Sequence, residues 1–231
     1  MDMVCRATLV ALAVLAGLLG GAALAPAEHA VRPSLVYLGR ADPRLCPSPL
    51  CGGFWVRAVN GGDVRCPEPA GRSCYVASLD LDPRLGDAGR ARLTRLFGEG
   101  RALIDGSLVT GQVEGFPDLR VLQAHQVWPS SSSPAPPRGV FYLLRDSGLR
   151  CITTPCFWIR ATTLNSAREL TLSNVDLSGV DVPPAGRRRA LAQLQRPGLI
   201  AVGRVVVQPN AGPAGAGRAL VASQLYTRAS P

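Results

Sequence analysis

The sequence predicts a mainly β protein of two tandem, five-stranded, small barrel-like domains, each carrying one short helix. Three observations support this. First, one motif occurs twice: Cys46-Pro-Ser-Pro-Leu-Cys51 leads, after two glycines, into Phe54-Trp55-Val56-Arg57-Ala58, and Cys151-Ile-Thr-Thr-Pro-Cys156 leads directly into Phe157-Trp158-Ile159-Arg160-Ala161. A match this specific reads as a tandem duplication. Second, short runs of alternating apolar and polar residues recur between Gly- and Pro-bearing turns, the pattern of half-buried strands. Third, Pro129-Ser-Ser-Ser-Ser-Pro-Ala-Pro-Pro137 separates the two copies and cannot bury a core. The expected divisions are a signal peptide at 1–30, a first domain at 31–128, a linker at 129–138 and a second domain at 139–231.

The chain opens with Arg6, an apolar run from Ala7 to Leu24, and small residues through Ala25, Ala27 and Ala30, which is the pattern of a secretory signal. The alternative is an uncleaved membrane anchor, and either reading sends the remainder out of the cytoplasm. Cys5 precedes the apolar run, unlike a lipoprotein cysteine. Loss of 1–30 leaves 24 arginines against 14 carboxylates, a charge of +10 compared with +9 for the whole chain, with no lysine. A basic exported protein can adhere to acidic polymers, although charge alone selects no ligand.

Domains of under a hundred residues bury thin cores and often need covalent support. Six cysteines remain after the signal. Symmetry pairs Cys46 with Cys51 and Cys151 with Cys156, which leaves Cys66 with Cys74. The alternative is a zinc site from the four cysteines of the first copy, but no histidine accompanies them and the second copy cannot repeat it.

The first copy opens with a strand at 34–39, followed by the bridged loop, whose prolines bar regular structure. The next strand, 54–59, places Phe54, Val56 and Ala58 on one face and Trp55 with Arg57 on the other. A third strand spans 75–81, and a helix spans 87–97 with Asp87 as cap, an apolar stripe of Leu93, Leu96 and Phe97, and Gly98 as stop. Strands at 102–113 and 119–127 close the copy. The second copy repeats the order with strands at 140–145, 157–162 and 169–177, then a helix from Pro184 through Leu191 and Leu194 that Pro197 and Gly198 end. Its last strands are 199–207 and 219–227, with a glycine-rich loop at 208–218 between them. In these closing strands Leu122, Ala124, Gln126 and Trp128 answer Leu220, Ala222, Gln224 and Tyr226.

This element order resembles the oligonucleotide- and oligosaccharide-binding barrel, in which a helix lies between the third and fourth of five strands. The stretch Arg-Ala-Asp-Pro-Arg-Leu-Cys-Pro-Ser-Pro-Leu-Cys-Gly-Gly-Phe-Trp-Val at 40–56 also resembles an uncharacterised family of exported bacterial proteins with a Cys-x-Ser-Pro-x-Cys-Gly-Gly-aromatic signature. The resemblance implies export and a disulfide-bridged domain, and it carries no mechanism. The second copy lacks the Gly-Gly and the second cysteine pair.

Most catalytic classes lack their residues. Beyond 1–30 the sole histidine is His125, no Gly-x-Ser-x-Gly elbow surrounds a serine, and the absence of lysine removes Schiff-base chemistry. Asp80 and Asp82 are the nearest carboxylate pair for a hydrolase, but Pro83 favours a capping role. Gly212 to Gly217 resembles a phosphate loop without its helix and lysine, and reads as a hairpin tip. Arg187, Arg188 and Arg189 read as a solvated helix face.

The strongest candidates for ligand binding are Trp55 with Arg57 and Trp158 with Arg160. A Trp offers a stacking platform, and Arg adds charge and a hydrogen-bonding fork. The expectation is a non-enzymatic, secreted or periplasmic binding module for an extracellular polysaccharide or polyanion, with no cofactor, no metal and no specific nucleic acid. The alternatives are an envelope or protein-interaction role, inhibitor-like display of the bridged loops, and a carboxylate hydrolase.

Overall fold

Each half of the chain builds one sheet from the same order of elements. The computed structural model describes residues 34–62, 66, 73–131 and 137–229; the expected signal at 1–30 and residues 132–136 of the linker lie outside them. The first half runs β1 (Leu35–Ala41), β2 (Phe54–Ala58), β3 (Cys74–Val76), β4 (Ser78–Asp80), α1 (Gly86–Gly98), β5 (Ala102–Thr110) and β6 (Arg120–Pro129). The second runs β7 (Val140–Asp146), β8 (Ile159–Thr163), β9 (Glu169–Leu172), β10 (Asn174–Asp176), α2 (Pro184–Ala192), β11 (Leu199–Gly212) and β12 (Gly215–Tyr226).

The strand orders are β3-β2-β1-β5-β6-β4 and β10-β12-β11-β7-β8-β9. The sheets are therefore six-stranded where five strands were expected, because the third strand breaks in both halves. Ala77 separates β3 from β4, and its N–H turns to the Arg120 carbonyl at 2.8 Å; Ser173 separates β9 from β10, and its N–H turns to the Arg218 carbonyl at 2.8 Å. Before the break each stretch pairs antiparallel with the second strand, and after it parallel with the last. The two pieces stand at opposite edges of each sheet and are not hydrogen-bonded to each other, so neither ladder closes into a barrel.

Other boundaries moved for local reasons. Asp87 does not cap α1, whose N-cap is Leu85; it lies in the first turn, where the helix dipole favours an acid, and pairs with Arg90. Leu93, Leu96 and Phe97 are buried as the stripe requires. Helix α2 ends at Ala192, so Leu194 reaches the core from the turn beyond it while Leu191 is exposed. Strands β11 and β12 continue through the expected loop, with Val207 facing Arg218 and Gln208 facing Gly217.

Alternation along the strands divides the apolar side chains between three cores. Tyr37, Val56, Val76 and Ile104 join Phe97 of α1 in one, and Leu144, Ile159, Leu172 and Leu199 join Ala190 of α2 in a second. The third lies on the opposite sheet faces and joins the halves: Val36, Leu38, Leu103 and Trp128 pack with Phe141, Ile200, Val202 and Tyr226. Residues Arg32–Pro231 accordingly form one compact unit.

Two asparagines clasp this third core. Asn60 (φ 56°) donates to the carbonyls of Phe141 (2.8 Å) and Leu164 (3.0 Å) and accepts from the Phe141 N–H (3.0 Å). Asn165 (φ 57°) donates to the carbonyls of Val36 (2.9 Å) and Val59 (3.0 Å) and accepts from the Val36 N–H (2.8 Å). Asparagine suits both demands, since it tolerates the left-handed region and carries donor and acceptor together. The bonds are reciprocal, so Val36 corresponds to Phe141 and Val59 to Leu164. Each half also places a glycine at a register shift in its fourth strand. A Cβ at Gly106 would lie 2.2 Å from the Gln123 carbonyl oxygen, and one at Gly203 2.1 Å from that of Val221, so only glycine fits the bulge.

Candidate functional site

The loop between β1 and β2 is held by three layers of contact. The Cys46–Cys51 disulfide closes it, as Cys66–Cys74 and Cys151–Cys156 close the other two loops, which leaves none of the six as a free thiolate for zinc. The Asp42 N–H donates to the Gly53 carbonyl at 2.9 Å. Tyr75 reaches over from β3, its hydroxyl donating to the Pro49 carbonyl at 2.8 Å and accepting from the Gly53 N–H at 3.3 Å.

Between loop and sheet sits a cluster of Asp42, Arg44, Trp55 and Tyr75. The Asp42 carboxylate is buried, paired to the Arg44 guanidinium at 2.9 Å, and accepts from Trp55 Nε1 at 3.2 Å. The Arg44 hydrogen bonds, together with the Trp55 N–H, hold the Asp42 carboxyl below its usual range against the opposing effect of burial. Arg44 lies 5.1 Å from the Trp55 ring centroid and 4.9 Å from that of Tyr75, and the two rings meet edge to face at 5.7 Å. Arg44 also donates to the Leu50 carbonyl at 3.0 Å, which fixes the bridged loop to the cluster.

Two cavities flank Trp55. The larger, about 460 Å³, is lined by Leu38, Arg40, Trp55, Arg57, Glu99, Arg101, Ser130 and Gln224 among others. It therefore lies between the outer face of β1 and β2 and the last strand of the second half. The smaller, about 380 Å³, is lined by Arg44, Leu50, Trp55, Tyr75, Asp118 and Arg120. Arg101 is bridged to Glu99 at 3.2 Å, whereas Arg40 and Arg57 have no acidic partner among the described residues.

Trp158 and Arg160 are placed differently. Arg57 faces Leu38 and Trp55 faces Arg40 across the first ladder, while across the second Thr162 faces Leu143 and Arg160 faces Arg145. Given the asparagine correspondence, Arg160 occupies the place of Trp55 and Thr162 that of Arg57. Trp158 precedes β8 and corresponds to Gly53; its carbonyl accepts from the Ser147 N–H at 2.9 Å, as that of Gly53 accepts from Asp42. Its ring is half-buried against the second core and its Nε1 donates to the Ser173 carbonyl at 3.2 Å. The motif has slipped by two residues, which preserves the face and changes the neighbours. Ser147, Leu149 and Thr171 stand where Asp42, Arg44 and Tyr75 stand in the first half.

The remaining candidates resolve locally. Asp82 accepts from the Arg84 N–H at 2.9 Å and from its Nε at 3.0 Å, so it caps a turn, while Asp80 ends β4. His125 Nδ1 lies 3.2 Å from Ser34 Oγ, but Asp105 accepts from that serine and not from the imidazole, so a base-orienting relay is not formed. Arg187 donates to the Val182 and Val180 carbonyls at the start of α2, while Arg188 and Arg189 are exposed. The glycine-rich tip packs on the second bridged loop, with the Ala214 N–H donating to the Thr154 carbonyl at 2.8 Å.

Sequence reasoning passed over Arg40, Asp42, Arg44, Tyr75, Arg101 and Gln224. A signal existed for two of them: Asp-Pro-Arg-Leu occurs at 42–45 and again at 82–85, and in both the aspartate accepts from the arginine N–H and Nε.

Fold and site together define a disulfide-bridged, mainly β protein with an arginine- and tryptophan-lined cavity. The chain belongs to the family described as a domain of unknown function, DUF6748, which matches residues 35–231 and so runs through both halves. No curated protein and no solved structure matches it. Three disulfides suit an oxidising compartment, and among the described residues no helix is long and apolar enough to cross a membrane.

Proposed function

We propose that this is an exported, non-catalytic binding protein, descended from a tandem duplication of an oligonucleotide/oligosaccharide-barrel-like unit, whose ligand is an extracellular polymer seated on Trp55 and Arg57. The observation that carries the reading is the 460 Å³ cavity, in which Arg40 and Arg57 lie beside an indole with no acidic partner among the described residues. The strand pairing supports the barrel-like part: in each half the first strand lies between the second and fourth, and the third pairs with the second and then, parallel, with the fifth. In such barrels the second and third strands and the adjacent loop carry the ligand, which is where Trp55 and Tyr75 stand.

The test is tryptophan emission of the oxidised chain titrated with neutral glycans and polyanions at low and high salt. A saturable change that Trp55→Phe abolishes supports the reading, and loss in salt marks an arginine-driven contact. No response to any polymer overturns it. A second reading, protein interaction through the bridged loops, is favoured by Leu45 and Ile152, which the loops hold out fully to solvent. Capture of an envelope protein that Leu45→Ser and Ile152→Ser release would favour that role.

A further inference from the structure

The following rests on the Trp55 face being a binding site and names its ligand class. We propose that the cavity between β2 and β12 takes an acidic saccharide, with a sugar ring against Trp55 and a carboxylate or sulfate on Arg40 and Arg57. Across the β1–β2 ladder Arg40 faces Trp55 and Leu38 faces Arg57, so the two arginines are diagonal neighbours on one face. Like charges so placed repel, and an oxyanion between them removes the repulsion while accepting two charge-assisted hydrogen bonds. Among the described residues no carboxylate already does this. Glu99 is held by Arg101 at 3.2 Å, and Asp42 by Arg44 and Trp55 on the other side of the indole.

The second half supplies a wall that does not compete for the positive charge. The Tyr226 hydroxyl donates to Gln224 Oε1 at 2.8 Å inside the inter-half core. Burial pushes Tyr226 far above the usual tyrosine range, and the nearby charge of Arg57 opposes this only in part, so it stays a neutral phenol. The cavity volume lies within the range of small-ligand sites, which suits a chain end or short segment. A long nucleic-acid strand needs an open basic track with several stacking platforms, and Trp55 is the one aromatic among the described residues lining this cavity.

The experiment titrates the oxidised chain, by Trp emission and calorimetry, with tetragalacturonate, its methyl ester, a sulfated heparin tetrasaccharide and a thymidine tetranucleotide. The expected result is one site per chain for an acidic saccharide, an emission change lost in Trp55→Phe, and binding weakened about tenfold by Arg57→Gln or Arg40→Gln and by esterification. Arg57→Lys should recover part of the loss, and unchanged urea unfolding midpoints show that the variants fold. Equal binding of ester and acid overturns the acidic class and leaves the Trp55 site standing as a neutral-glycan site. Tighter binding of the nucleotide than of either saccharide overturns the saccharide assignment. No saturable response to any probe overturns both this inference and the reading beneath it.

Discussion

Trp55 and Trp158 stand in the same five-residue context, Phe-Trp-(Val or Ile)-Arg-Ala, and are placed differently. Trp55 lies within β2, lines two cavities and gives its N–H to a carboxylate. Trp158 lies before β8, rests on the second core and gives its N–H to a peptide carbonyl. The cause is a two-residue shift: Gly52 and Gly53 lengthen the first half ahead of the aromatic pair, and Thr162 and Thr163 restore the count before Asn165. An even shift keeps every side chain on its face, so the sheet tolerates it, but it hands each residue a new cross-strand partner. The same motif within one chain thus lines a cavity in one half and packs on the core in the other.

The broadest challenge to the comparison is to its frame, the equivalence of the halves set by Asn60 and Asn165. Asn60→Ala removes three hydrogen bonds that reach the other half and forces alanine into the left-handed region, a loss of about 3–5 kcal/mol. Asn165→Ala should lose the same to within about 1 kcal/mol. Urea unfolding measures both. A large inequality would break the reciprocity from which the slip is read.

Next in size is the pair of tryptophans themselves. Trp158→Ala takes a half-buried ring off the second core and orphans no carboxylate, and it should destabilise by about 2–3 kcal/mol while leaving ligand titrations unchanged. Trp55→Ala should destabilise by about 1–2 kcal/mol, since Arg44 and Tyr75 still hold Asp42 and the loop, and should abolish the titration. Melting curves and titrations of the two variants side by side check the contrast. A binding loss in Trp158→Ala with stability intact would reverse the assignment.

Much of this was legible because it is local. The three disulfide pairs followed from symmetry, the α1 stripe from spacing, and the match of Leu122, Ala124 and Trp128 with Leu220, Ala222 and Tyr226 from residue type at equal spacing; the ladders set Trp128 opposite Leu103 and Tyr226 opposite Ile200. The break at Ala77 and Ser173 was not legible, since it arises where one strand changes neighbours and nothing in the local sequence marks that. Nor was the third core, because a sheet apolar on both faces reads as a single run until its partner is known. The site fell between these. Trp55 and Arg57 could be named from alternation, but Gln224 meets them only through the packing of the two halves, and Arg101 only through the folding of the first.

The smallest expected effect separates the two indoles by acid. Asp42 has its pKa lowered chiefly by the Arg44 hydrogen bonds, so its contribution is fully present above the unfolded-state value near pH ~4 and is lost as pH falls through the lower folded value. Protonation takes away the ion pair with Arg44 and weakens the acceptor for Trp55 Nε1, while the Ser173 carbonyl that holds Trp158 has no proton to gain. Asp146 is lowered by Arg150 in the second half, so global stability falls with acid from both sides and cannot by itself tell them apart. Local emission can. In a Trp158→Phe protein the emission should shift below about pH 4, before global unfolding, and Asp42→Asn should remove that step. In a Trp55→Phe protein the emission should hold until the chain unfolds. An early step of equal size in both would mean that the carboxylate does not set the environment of Trp55, and the distinction between platform and packing would then rest on the cavities alone.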